Sequence, residues 1–300
     1  MGLPITTNCN RKGNRQKLNR SIMKHIYIFL ILSVFSFSCE KEEEHIELDF
    51  SDSEELNELD KYLHDEFTTP YGLRTNYHWD ANSVEFNKRT TPVKLDIVKP
   101  TAKMVDKFWI QTYLHSSSDV EYNKKFLHKN LPAELIYVGG KLYSSDGSVT
   151  LGYAESGARI TLTDLNSFDL SNRSWLNRQV GTLHHEFVHI LEDSYNLPKD
   201  FRLVTPKSYN GQAWLNVSEA NAIASGFVTN YASLSFGEDY AETVSIYVSM
   251  SETDFNNKYN SGKKGHDLIQ KKLDLCRAHY KDVMGIDLDA LRDQVQKAYK

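Results

Sequence analysis

Cysteine is almost missing from this chain: three in 300 residues, with Cys9 and Cys39 both ahead of residue 40. Beyond that point Cys276 has no partner, so an internal disulfide framework is excluded. Leu273, Leu275 and Ala278 around it predict a buried, inert thiol. A basic surplus is missing too. Lys and Arg number 35 against 40 Asp and Glu, and six of the basic residues but no acid lie in 1–38. The rest therefore carries 29 basic against 40 acidic residues, a net charge of −11. With no basic stripe, nucleic acid is not an expected partner. No apolar run reaches the roughly 18–20 residues of a membrane-spanning helix. The longest, Ile26 to Phe37, has about a dozen, and no internal repeat occurs.

What is present at the start is a processing signal. Met23-Lys24-His25 followed by that apolar run reads as a secretory signal with Met23 as initiator and residues 1–22 as an upstream extension. Ser36-Phe37-Ser38-Cys39 resembles a lipobox, although Ser36 and Phe37 stand where a Leu and a smaller residue are usual. The resemblance implies lipidation at Cys39. Glu40-Lys41-Glu42-Glu43-Glu44 resembles the acidic export tags of surface lipoproteins, and such a tract is also a solvated tether. The expected location is the outer membrane, lipid-anchored and exposed at the surface. The expected organisation is 1–38 extension and signal, 39–52 lipidated Cys and acidic linker, 53–130 an N-terminal α/β part, and 131–300 a catalytic part.

Periodicity outlines the rest. Leu56, Leu59, Tyr62 and Leu63 predict a helix over 54–66, and the alternating stretch 93–98 predicts a strand within 70–100. A helix is expected over 101–115 and strands over 134–138, 149–154 and 159–163. A long helix starts at Ser171 or Asn172 and runs to about Asp193; Leu176, Val180, Leu183, Phe187 and Leu191 form its apolar stripe. Helices over 218–232, 238–250, 266–282 and 287–299 follow. The fold class is α+β: a mixed β-sheet, then a mostly helical half, with the active-site helix between them.

That helix contains His185-Glu186-Phe187-Val188-His189, an H-E-x-x-H pattern. Residues four apart share a helix face, so two imidazoles can hold one Zn2+, and Glu186 can take a proton from an activated water. His184 points about 100° away, which suits a supporting or surface role rather than ligation. The pattern is moderately specific by itself, and its bland reading is a solvated polar face. The apolar residues around it count against that, because burying unpaired imidazoles is costly. A catalytic zinc needs a third protein ligand and an open position. Downstream, Glu238 and Glu242 share a helix face; one can bind the metal while the other fixes a histidine tautomer. Acids in a first helical turn, such as Glu238 and Asp239, also satisfy the helix dipole. Trp175, Tyr209 and Trp214 are candidates for a cleft or for the core.

Those residues resemble the gluzincin metallopeptidases. More narrowly, Tyr231 and Glu238-Asp239-Tyr240-Ala241-Glu242 resemble the lethal-factor-like branch. With Gly226-Phe227-Val228-Thr229-Asn230-Tyr231-Ala232 the chain is most similar to the substrate import-associated zinc metallohydrolase lipoproteins. The resemblance implies a zincin-like fold, with His185, His189 and Glu238 as zinc ligands and Glu186 as general base. It also implies that Glu242 supports the metal site and that Tyr231 donates to the oxyanion. The implied partners are a peptide or other hydrolysable substrate bound along an edge strand within 149–163, and a TonB-dependent transporter with its surface lipoprotein. A substrate-capturing accessory with a structural metal is the competing reading.

Overall fold

The computed structural model describes residues 56–79, 88–143, 149–150, 152–155, 158–260 and 262–300. Cys39, the acidic tract after it and the expected segments 1–38 and 39–52 lie outside those residues.

Helix α1 (Glu58–Leu63) starts where the Asn57 side chain accepts from the amides of Leu59 and Asp60. Its winding continues as a π turn to Thr68 and one more turn to Tyr71, where Gly72 at φ +70° stops it. Strand β1 (Arg74–Asn76) follows. Helix α2 (Leu95–Val105) runs on through a π turn, Asp106–Ile110, to Leu114. Here the expected strand over 93–98 is corrected: the chain is already helical at Leu95. Val98, Ala102, Val105 and Trp109 recur at 4-3-4 spacing and are all fully buried. That longer helical period outweighs a short alternation whose Leu95 is 68% exposed. Helix α3 (Val120–Asn130), capped by Asp119, leads into the sheet.

The four-stranded sheet runs in the order Arg74–Asn76 (β1), Glu134–Tyr137 (β2), Arg159–Leu162 (β6) and Gly152–Glu155 (β5). Strand β2 (Glu134–Tyr137) pairs in parallel with β1 on one side and β6 on the other, and is buried at every position. Strands β3 (Leu142–Tyr143) and β4 (Val149–Thr150) form a separate antiparallel ribbon. Strand β5 (Gly152–Glu155) closes the sheet as an edge, antiparallel to β6 (Arg159–Leu162) with Ala154 opposite Ile160. At Gly152 a Cβ would collide with the Thr182 methyl and the Thr161 carbonyl, so only glycine lets the edge strand lie this close to the next helix.

That helix, α4 (Arg173–Tyr195), is capped by Asn172, whose side chain accepts from the Trp175 amide. Trp175 Nε1 donates to the Asp164 carbonyl at 3.0 Å and Gln179 to the Thr163 carbonyl at 3.0 Å, which fixes the helix against the end of β6. Then come α5 (Lys199–Arg202), α6 (Glu219–Ala224), α7 (Phe236–Ser249), α8 (Glu252–Tyr259), α9 (His266–Met284) and α10 (Leu288–Ala298). The expected helix over 218–232 is corrected to the short α6 and a separate 3-10 turn at Tyr231–Ser233. Gly226 interrupts it at φ +92°, in a place where a Cβ would press on Leu268 and Thr205. The architecture is α+β, a small mixed sheet followed by a mostly helical half, with α4 between them.

One apolar cluster joins the layers, from Leu63 of α1 to Val295 of α10. Phe187 of α4 sits near its centre, with ring centroids 5.2 Å from Trp109 and 5.1 Å from Tyr113, both edge-on. Truncating such a ring to Ala costs about 3–5 kcal/mol. The stripe Leu176, Val180, Leu183, Phe187 and Leu191 is buried throughout, so α4 cannot rotate about its axis without exposing it.

Candidate metal centre

Three consecutive polar side chains leave α4 for three destinations. His184 turns into the core, where its Nε2 donates to the Phe108 carbonyl on the π turn at 3.2 Å. Burial lowers its pKa to about 4, which keeps the ring neutral. A surface role for His184 is thereby corrected; it belongs to the packing around Tyr113.

His185 faces the other way, toward α7. Its Nε2 lies 3.1 Å from Glu238 Oε2 and 3.2 Å from His189 Nε2, and His189 Nε2 lies 3.3 Å from the same Glu238 oxygen. Two rings one turn apart on α4 and one carboxylate from the first turn of α7 thus converge on a single point. The Ser235 hydroxyl, accepting from the Glu238 amide at 3.3 Å, caps α7 where Glu238 must enter. A tetrahedral ion with bonds of about 2.0–2.1 Å holds its donors roughly 3.3–3.4 Å apart, so the two nitrogens and the oxygen fit zinc in type and spacing. Among the described residues, His185, His189 and Glu238 form a cluster of three such donors, with no fourth His, Cys, Asp or Glu.

Behind each ring stands another carboxylate. His185 Nδ1 donates to Glu242 Oε1 at 2.9 Å, and Glu242 also accepts from the Thr229 hydroxyl at 2.5 Å. His189 Nδ1 faces Glu192 Oε2 at 3.5 Å. Both contacts put the ring proton on Nδ1 and turn the Nε2 lone pair inward. Burial lowers the pKa of His185, but Glu238 and Glu242 more than reverse this and raise it to about 10. Burial likewise opposes Glu192 and Glu238 at His189, whose pKa rises to about 9. Glu238 shows the converse. Burial raises its carboxyl, yet the two imidazoles hold it well below the usual carboxylate range.

Glu186 is buried beside this cluster, and burial raises its pKa against the lowering pull of His185 and His189. Its carboxylate accepts a hydrogen bond from the Ala154 amide of the edge strand. Tyr231 completes the group, its ring centroid 6.0 Å from that of His185 and 4.9 Å from that of Trp214. Burial and then the Glu238 carboxylate raise its pKa, so the hydroxyl keeps its proton.

A buried clamp sets these parts relative to one another. Lys272 of α9 pairs with Asp239 at 2.6 Å, and both are almost wholly shielded from water. Lys272 also donates to the Gly226 carbonyl at 2.7 Å, and Tyr209 donates to Asp239 at 2.8 Å. The clamp therefore ties α7 to the segment leading to Tyr231 and to the loop carrying Trp214. Sequence reasoning missed Glu192 and this clamp. Glu192 had a signal, since it lies three residues after His189 on the same helix face. Asp239 had the look of a first-turn acid, and Lys272 carried no signal. Trp175, a candidate for the cleft, packs in the core.

A family model described as "Putative zinc-binding metallo-peptidase" matches residues 52–289. The chain belongs to this family. Membership makes it a zinc metallohydrolase in kind, in keeping with the donor set at the convergence point. The chain is also similar to the crystal structure of "a putative zinc-binding metallo-peptidase" from Bacteroides caccae ATCC 43185. The two are 27% identical with a TM-score of 0.66, over 80% of this chain and 91% of that one. No curated protein matches the chain.

Proposed function

We infer that this chain is a gluzincin-like zinc peptidase, with His185, His189 and Glu238 as ligands, Glu186 as general base and Tyr231 as oxyanion donor. One observation carries the reading: among the described residues, three protein donors converge without a fourth. Structural zinc sites are closed by four protein ligands, whereas catalytic ones leave a position for water or substrate. Bound there, zinc would supply a Lewis acid that polarises a carbonyl and lowers the pKa of water to about 7. Glu186 takes the proton of the attacking water on its carboxylate, for which its raised pKa suits it, and returns it to the leaving amine. The protonated Tyr231 hydroxyl donates to the carbonyl oxygen as negative charge develops there. Glu242 and Glu192 hold the two rings in the productive tautomer.

The substrate backbone pairs with the free edge of β5. Ala154 lies on that strand and already reaches Glu186, so a peptide extended along the edge runs beside the base. The lipobox-like segment at Cys39 and the acidic tract behind it support a lipid-anchored protein on the outer membrane surface. There it would work beside a TonB-dependent transporter and its surface lipoprotein. The decisive experiment replaces Glu186→Gln and measures zinc content and peptide cleavage separately. Full zinc with cleavage reduced at least a hundredfold is the expected result; loss of zinc would remove Glu186 from the role of base.

A further inference from the structure

Far from the metal, a cavity of about 700 Å³ opens where α2, the Leu170–Ser171 segment, the start of α4 and residues 298–300 meet. Its floor is apolar, with Met104, Phe108 and Leu176 among the lining residues. Leu176 precedes His185 by nine residues, about 14 Å along the helix axis, so this is not the metal cleft. Around the floor stand five cations: Lys99, Lys103, Lys107, Arg173 and Lys300. Asp96 is the acid on the same rim.

None of the five side chains makes an ion pair with a side-chain carboxylate among the described residues. Lys99 lies over the Tyr62 ring at 4.2 Å, Lys107 over Phe108 at 5.2 Å, and Arg173 over Tyr299 at 4.8 Å. Arg173 also donates to the Tyr299 carbonyl at 3.1 Å. In a chain whose acids outnumber its bases, five cationic side chains without acidic side-chain partners around one apolar hollow are a complementary surface for negative charge.

Spacing narrows what fits. Lys99, Lys103 and Lys107 recur every four residues, which on a helix sets them about 6 Å apart in a row of about 12 Å. An extended peptide places every second side chain on one side, about 6.7 Å apart, and covers that row with about four residues. We propose that this cavity binds an extended segment of a partner protein in which acidic and apolar residues alternate. The acids lie along the lysine row and the apolar side chains enter the floor. A ligand with a single negative charge would satisfy one or two of the five cations and leave the rest unmatched. The site is independent of the zinc chemistry.

The test uses the full chain carrying Glu186→Gln, so that no peptide is cut, and a fluorescein-labelled octapeptide alternating Glu and Leu. Fluorescence anisotropy should show saturable binding. Adding Lys99→Glu and Lys103→Glu should weaken it roughly tenfold or more, about 1.4 kcal/mol. The same two substitutions with Glu186 intact should leave zinc content and peptide cleavage unchanged. An octapeptide of equal composition, with its acids in one block and leucines in the other, should bind about tenfold more weakly. Three results would overturn the proposal: equal binding by the doubly reversed variant, loss of binding when zinc is removed, or displacement of the peptide by dodecanoate in a 1:1 ratio. The last would make the cavity a site for a small anionic amphiphile.

Discussion

Stripping the metal should invert the pH dependence of stability, and the carboxylates around the two rings set the size of the effect. Without zinc, His185 and His189 have pKa values raised to about 10 and about 9, because Glu238, Glu242 and Glu192 outweigh the burial that opposes them. Both values exceed the ordinary 6.5. Protonated rings therefore stabilise the metal-free fold below pH 6.5, and that stabilisation is lost as pH rises through 9 and 10. For His189 alone the shift corresponds to something on the order of 3 kcal/mol. In a domain of this size that is roughly 6–12 °C in Tm. Zinc needs neutral rings, so its affinity must move the other way and rise with pH over the same range.

The two Nε2 atoms are 3.2 Å apart and titrate as one coupled system, so zinc displaces between one and two protons. Its apparent affinity should then climb about ten- to hundredfold per pH unit between pH 6.5 and 8.5. Scanning calorimetry from pH 6 to 9, with a chelator and with excess zinc, should show two diverging curves. Titration calorimetry in buffers of different ionisation enthalpy would count the protons directly. A zinc affinity that is flat across this range, with no proton released at pH 7, would refute the reasoning. The rings would then be neutral before the metal arrives.

Replacing Tyr231→Phe keeps the packing on Trp214 and removes one donor, so kcat should fall about 10²–10³-fold with KM little changed, read from steady-state cleavage. Glu242→Ala should weaken zinc binding about 10–100-fold, measured by chelator competition. Glu192→Ala should do less, since its 3.5 Å contact is longer than the 2.9 Å one made by Glu242. Lys272→Met leaves Asp239 as an unpaired buried charge and should cost about 3–5 kcal/mol in denaturant unfolding. The Lys272→Met/Asp239→Leu double variant should recover much of that.

How much of this was legible in the sequence depended on whether the signal was local. Helix α4 was readable because its apolar stripe repeats over about four turns and Asn172 is a strong cap, and the helices at Phe236–Ser249, His266–Met284 and Leu288–Ala298 had comparable periods. The stretch 93–98 misled because a six-residue alternation has no way of showing that Leu95 stays in water while Val98 begins a helical face. The segment 218–232 misled because its helical composition hides the left-handed turn at Gly226. For the site, motif and spacing singled out His185, Glu186, His189, Glu238 and Glu242, the family resemblance added Tyr231, and folding brings these six side chains together. The Lys272–Asp239–Tyr209 clamp was invisible, since three residues spread over 209–272 meet only through the packing of α7, α9 and a loop.

Gly152 bears on catalytic geometry although it has no side chain to offer. Strand β5 rests on Thr182, one turn ahead of His185 and Glu186, with no clearance for a methyl group. The gap between the edge strand and the helix that carries His185, Glu186 and His189 is thus gauged by a bare hydrogen atom. Any larger residue at 152 would act as a shim, lifting the strand off the helix and taking the Ala154 amide out of reach of Glu186.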